Sequence, residues 1–134
     1  MGALLTTLVL DSHVVHWWSA EPEQLSDAAA SAITEAEQLA VAAITWFELA
    51  WLATNGRIAI AVPLRSWLDE LDGQLHTIGI TPAVSAAAVS LPADFPGDPA
   101  DRLIYATAIE TGYRLVTKDR RLREHRHPRP IAVW

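Results

Sequence analysis

What most limits the fold of this chain is an alternation. Four short apolar, β-rich runs, residues 6–10, 39–44, 76–80 and 114–117, are separated by stretches that carry helix signals. Strands that alternate with helices form a parallel sheet with helices on both faces. The run at 6–10 is apolar enough to be covered on both faces. It reads as a buried strand rather than a cleaved leader, because it lacks a basic start and Asp11 ends it early. Residues 130–134 read as a last edge strand, so the expected fold class is α/β with a central parallel sheet of four to five strands.

The helix signals are specific. Residues 12–20 follow the first strand directly. Ser26 is a suitable N-cap for a helix over 26–37. Thr45-Trp46-Phe47-Glu48 has the spacing of a capping box, opening a helix that stops at Asn55-Gly56. Leu64, Trp67, Leu68 and Leu71 share one face of a helix over 63–71, and 82–91 is an Ala/Val helix. Asp98-Pro99-Ala100-Asp101 opens another as N-cap, N1 and N3, which ends at Thr111-Gly112, and 119–124 forms a short last one.

A chain of 134 residues is expected to form one domain, 1–134. With no cysteine, it has no disulfide, thiolate metal site or thiol nucleophile. A small disulfide-free domain fits a reducing compartment, so a cytoplasmic location is expected. No apolar run reaches the roughly 18–20 residues of a membrane span. The net charge of −6 is unevenly spread. Residues 1–113 hold fourteen acids against Arg57, Arg65 and Arg102, a net −11. Residues 114–134 hold Arg114, Lys118, Arg120, Arg121, Arg123, Arg126 and Arg129 against Asp119 and Glu124, a net +5. An acidic body with a basic carboxy-terminal edge suggests two electrostatic tasks.

In open parallel sheets, ligands bind beyond the carboxyl ends of the strands. Asp11 follows the first strand and Asp119 the fourth, while Glu48 and Asp101 stand one turn into helices. Each has an ordinary explanation as a cap or an N3 acid. Gathered at one sheet edge, however, four carboxylates repel one another unless a cation neutralises them. An all-oxygen cluster suits Mg²⁺ or Mn²⁺, which can acidify a water and polarise a phosphoryl oxygen, the chemistry of phosphodiester hydrolysis. His13 and His16 lie near Asp11 and read better as surface or half-buried residues than as ligands. His125 and His127 sit in the basic tail, where they could meet phosphate. Trp17, Trp18, Trp46, Phe47 and Trp51 either pack the core or offer an apolar face to a partner helix.

The ordered set of motifs resembles the PIN-domain ribonucleases, and among them the VapC-type toxins of type II toxin–antitoxin systems. It comprises Leu8-Val9-Leu10-Asp11-Ser12-His13, Ile44-Thr45-Trp46-Phe47-Glu48-Leu49, Asp98-Pro99-Ala100-Asp101-Arg102-Leu103-Ile104 and Leu115-Val116-Thr117-Lys118-Asp119. The last two are the most specific. The resemblance implies an Mg²⁺- or Mn²⁺-dependent endoribonuclease with Asp11, Glu48, Asp101 and Asp119 as its acids, and Ser12 and Thr117 as supporting hydroxyls. Asp98 reads as a helix cap rather than a ligand. The resemblance further implies a cognate antitoxin that docks on the aromatic helices, a homodimer, and RNA phosphates held by the stretch from Arg114 to Arg129. Two other classes fit less well. An aspartyl phosphatase usually carries a second aspartate two residues after the first, where this chain has His13. A non-catalytic binding or signalling domain would use the acids only as caps.

Overall fold

A computed structural model describes residues 6–125 and 131–134. Residues 1–5 and 126–130, among them Arg126, His127, Arg129 and Pro130, lie outside the described residues. Five parallel strands form one sheet: β1 (Thr7–Leu10), β2 (Gln38–Ala42), β3 (His76–Ile78), β4 (Arg114–Val116) and β5 (Ala132–Val133), in the order β3-β2-β1-β4-β5. The chain builds outward from β1 to β3, then returns to lay β4 on the other side of β1. The topological switch point therefore falls between β1 and β4, where such sheets open a crevice for ligands.

The helices are α1 (Ser12–Ala20), α2 (Asp27–Glu35), α3 (Ala43–Thr54), α4 (Leu64–Asp72), α5 (Pro82–Ser90), α6 (Pro99–Thr111) and α7 (Arg120–Glu124). The strand period of two sorts the core into two faces. Leu8, Leu10, Val41 and Val116 pack with Val14 and Val15 of α1 and Ile33 of α2. Val9, Ala42 and Leu115 face the other way, onto Ile104, Tyr105 and Ala108 of α6 and Leu122 of α7. All four residues of β1 are buried, as expected of a central strand. Each Leu or Val so buried contributes about 1.5–3 kcal/mol.

The structure corrects the sequence reading at one informative place. Thr45 is not an N-cap. The third helix starts at Ala43, directly from the last residue of β2, and its N-cap Ala42 offers no side-chain bond. Thr45 instead lies fully buried in the first turn, its hydroxyl without a hydrogen-bond partner among the described residues. Glu48 moves into the second turn, too far along to cap. The other caps agree with the sequence: Ser26 accepts from Ala29 N–H, Asp98 from Ala100 N–H and Asp119 from Arg121 N–H. Gly112, at φ 75°, ends α6 in the left-handed conformation that Gly adopts without steric cost.

Arg102 explains why the Asp98–Arg102 motif is built as it is. Its guanidinium donates through Nε to Pro96 O, through Nη1 to Ala88 O and Leu91 O, and through Nη2 to Pro92 O and Phe95 O, at 3.0–3.3 Å. Five carbonyls take the five N–H donors an arginine has. The loop between α5 and α6 is thus tied to the first turn of α6, where Asp98 and Asp101 stand. Replacing Arg102 with Met leaves those carbonyls without their donor. The expected cost is about 2–4 kcal/mol in urea unfolding, with faster amide exchange confined first to residues 92–98.

Candidate active site

The four acids reach one place from four elements. The backbone N–H of Asp11 continues the sheet ladder by donating to Val116 O at 3.1 Å, which fixes its position at the switch point. Its Oδ1 accepts from Ser12 N–H at 2.8 Å and its Oδ2 from the Thr117 hydroxyl at 2.7 Å. The Ser12 hydroxyl donates to Glu48 Oε1 at 2.5 Å. Asp119 N–H donates to Thr117 Oγ1 at 3.0 Å. The backbone N–H and hydroxyl of Ser12 thereby join the carboxylates of Asp11 and Glu48, and the Thr117 hydroxyl joins Asp11 to the backbone of Asp119. Asp11, Glu48, Asp98, Asp101 and Asp119 all line one cavity of about 620 Å³, joined by His13, Lys118 and Arg121.

The electrostatics follow from this crowding. Burial pushes the Asp11 carboxyl upward; hydrogen bonds from Thr117 and Ser12 and the His13 charge oppose it, and the Asp119 charge adds to it. Burial also raises Glu48, with Ser12 opposing and the Asp11 and Asp98 charges reinforcing. Asp101 is pushed up to about 7, by burial first and then by the charges of Asp11, Asp98, Asp119 and Glu48. For Asp119, partial burial acts upward, but hydrogen bonds from Arg121 and its charge outweigh it and hold the carboxyl below its ordinary value. The cluster carries more negative charge than its surroundings neutralise.

That donor set, all oxygen and short of positive charge, fits a hard divalent cation. As the side chains stand, no three His, Asp or Glu residues among those described are drawn close enough to enclose one. Arg121 reaches in instead, with Nη2 at 3.1 Å from Asp119 Oδ2 and 3.6 Å from Asp101 Oδ2.

Other sequence candidates fall elsewhere. His16 is buried and pairs with Glu21 at 2.8 Å, outside the acid cavity. His125 packs edge-on against Phe95 and Tyr105, with centroids 5.0 and 5.3 Å away. Phe47 and Trp51 are 67% and 47% exposed, while Trp17, Trp18 and Trp46 pack against the core. The sequence alone assigns Arg102 no role and places Arg121 only in a basic stretch. The signal for Arg121 is its spacing, two residues after an aspartate that caps a helix. A second cavity, of about 690 Å³, is bordered by Trp18, Leu25, Ile33, Leu39 and Leu75 and gathers no acid cluster among the described residues.

A parallel sheet of this order with an acid cluster at its switch point defines a class, the PIN-type α/β domain. The PIN domain profile matches residues 8–128. Ribonuclease VapC22 of Mycobacterium tuberculosis is 68% identical over 130 residues, covering 97% of this chain and all of that one. Two solved structures share the fold at 18% identity. A toxin–antitoxin complex from Klebsiella pneumoniae has a TM-score of 0.67, covering 95% of this chain and 96% of that one. VapBC2 from Rickettsia felis, bound to a DNA fragment from its promoter, has a TM-score of 0.62, covering 85% and 88%. The chain belongs to the PIN-domain family, and within it to the VapC ribonucleases.

The raised carboxyls set a pH dependence. Between pH of about 4 and 7 the metal-free fold holds protons on Asp101, and in part on Asp11 and Glu48, that the unfolded chain has released. Stability therefore falls as pH rises through that window. Asp101→Asn should flatten the slope and stabilise the metal-free protein at pH 7.5 by on the order of 1 kcal/mol, solvent screening of the partly exposed carboxyl allowed for. Thermal melts in chelator at pH 5 and 7.5 test this; an unchanged slope in the variant counts against it.

Proposed function

We propose that this chain is a divalent-metal-dependent endoribonuclease, the toxin of a toxin–antitoxin pair. The observation that carries the reading is the convergence of Asp11, Glu48, Asp101 and Asp119 on one cavity at the switch point of the sheet. The 68% identical relative bears the name ribonuclease, and structures of similar fold are toxin–antitoxin complexes.

Asp11 and Asp101 would be the main ligands of Mg²⁺ or Mn²⁺, with Asp119 binding directly or through a water and Glu48 binding or orienting the attacking water. The bound ion supplies Lewis acidity, which acidifies water and offsets charge on phosphoryl oxygens. The chain's own residues do the rest. Thr117 and Ser12 hold both oxygens of Asp11 in fixed directions. Ser12 engages one oxygen of Glu48, so the other accepts a proton from water and aims it at phosphorus. Lys118 and Arg121, both on the cavity wall, meet phosphate oxygens. Attack by water with the 3′-oxygen as leaving group breaks the P–O3′ bond and spares the 2′-hydroxyl, so the products carry 5′-phosphate and 3′-hydroxyl ends.

The antitoxin docks on the apolar trough of about 410 Å³ formed by Ile44, Phe47, Trp51 and Leu52 with Pro99 and Ala100. Glu48 and Asp98 line both this trough and the acid cavity, so a segment seated there also obstructs the acids. A homodimer would set two acid cavities along one RNA groove, with the basic edge of each chain beside it.

Purified, partner-free protein with total bacterial RNA should make discrete cuts only when Mn²⁺ or Mg²⁺ is present. Asp11→Ala should lower cleavage by at least about a hundredfold while remaining folded. Cyclic 2′,3′-phosphate ends, or normal cleavage by the variant, would overturn the mechanism. Changing Arg120, Arg121 and Arg123 together to Ala should weaken RNA binding and flatten its salt dependence. The slope should fall by roughly 0.7 for each phosphate of a single strand that the variant no longer engages.

A further inference from the structure

The described ion pairs of this protein's arginines differ in kind. Arg65–Asp69 and Arg120–Glu124 are i,i+4 pairs on open helix faces, both partners more than 60% exposed. Arg121 instead joins two carboxylates from different elements, Asp119 after β4 and Asp101 on α6, which are only 24% and 17% exposed. Its own side chain is 65% exposed, so it reaches from solvent into the acid cavity. The contact is doubly anchored at Asp119, whose Oδ1 takes the Arg121 backbone N–H at 2.8 Å and the Nε–H at 3.4 Å. Asp119 thus fixes where Arg121 starts, and only the guanidinium is at liberty to leave. The guanidinium itself faces solvent, so water can take over its contacts when it leaves. The oxygens it covers are those the preceding reading gives to a divalent ion.

We propose that Arg121 is an internal counter-ion of the acid cavity, which partly neutralises it when no divalent ion is bound, yields its place to the ion, and then stands at the rim to bind an RNA phosphate. The proposal rests on the metal reading above and adds a competition between this chain's own guanidinium and the metal. The competition makes two readouts move in opposite directions. Removing the guanidinium uncovers two ligands and removes a repelling charge, so metal binds more tightly. It also removes a phosphate contact, so RNA binds more weakly. A residue with a merely structural role would not produce that opposition.

The test is calorimetric titration of Mn²⁺ into wild type, Arg121→Ala and Arg121→Lys, all checked for folding by thermal melts, followed by cleavage kinetics at saturating Mn²⁺. Arg121→Ala should bind Mn²⁺ about three- to tenfold more tightly and show a severalfold higher KM for RNA. Arg121→Lys, which keeps the charge but loses the planar fork, should fall between the two in metal affinity. Unchanged or weaker Mn²⁺ binding by Arg121→Ala overturns the counter-ion role and leaves the metal reading standing. Absence of Mn²⁺ binding in both folded wild type and Arg121→Ala overturns the metal reading, and this inference with it.

Discussion

Mutual repulsion among carboxylates at one sheet edge is the constraint around which this structure is arranged. Five acids line a single cavity, and three of them are pushed toward their protonated forms. A fold keeps such a cluster only by holding each group with bonds that burial alone would not supply. Here those bonds come from Ser12, whose N–H and hydroxyl join Asp11 to Glu48, and from the Thr117 hydroxyl, which joins Asp11 to the backbone of Asp119. The surrounding β-sheet supplies rigidity: β1 is buried on both faces, and the ladder bond from Asp11 N–H to Val116 O carries that rigidity one residue beyond the strand.

The acids on α6 are held differently. Asp98 and Asp101 follow a loop with no regular ladder, so nothing in the sheet fixes them. Arg102 does this by engaging five carbonyls around itself. An arginine is a rigid fork with five donors and no acceptor, which suits a loop that presents carbonyls inward. One side chain therefore ties an irregular segment to the first turn of α6, which carries Asp101 beside it in sequence.

Much of this is legible in the sequence because the signals are local. Asp98-Pro99 and Thr111-Gly112 bracket α6, and Ser26 caps α2, through bonds that span two to four residues. The order of apolar runs points to the sheet class, and the acids at strand ends point to the cavity. The sequence misleads where tertiary geometry overrides a local pattern. Thr45 and Glu48 have capping-box spacing, yet α3 begins at Ala43 because the chain turns from β2 into the helix with no intervening loop. His125 sits among basic residues but packs on Phe95 and Tyr105, neighbours that only the fold brings near. The bridge from Arg121 to Asp101 spans twenty positions and has no sequence period to reveal it.

The failed capping box bears directly on what the acids are for. Asp11, Asp98 and Asp119 do cap helices, so their presence alone does not separate structure from chemistry. Capping occupies defined acceptor positions and thereby fixes the carboxylate, which is what a ligand set also requires. The two roles are therefore compatible in one side chain. Glu48 is the exception among them. It does not cap α3, it is half-buried, and burial together with neighbouring acids raises the energy of its ionised form. The hydrogen bond it accepts from Ser12 holds it beside Asp11 rather than stabilising the helix that carries it. A carboxylate whose ionised form is disfavoured, and which Ser12 holds in the acid cavity, is not explained by the helix that carries it; the proposed reaction gives it a use.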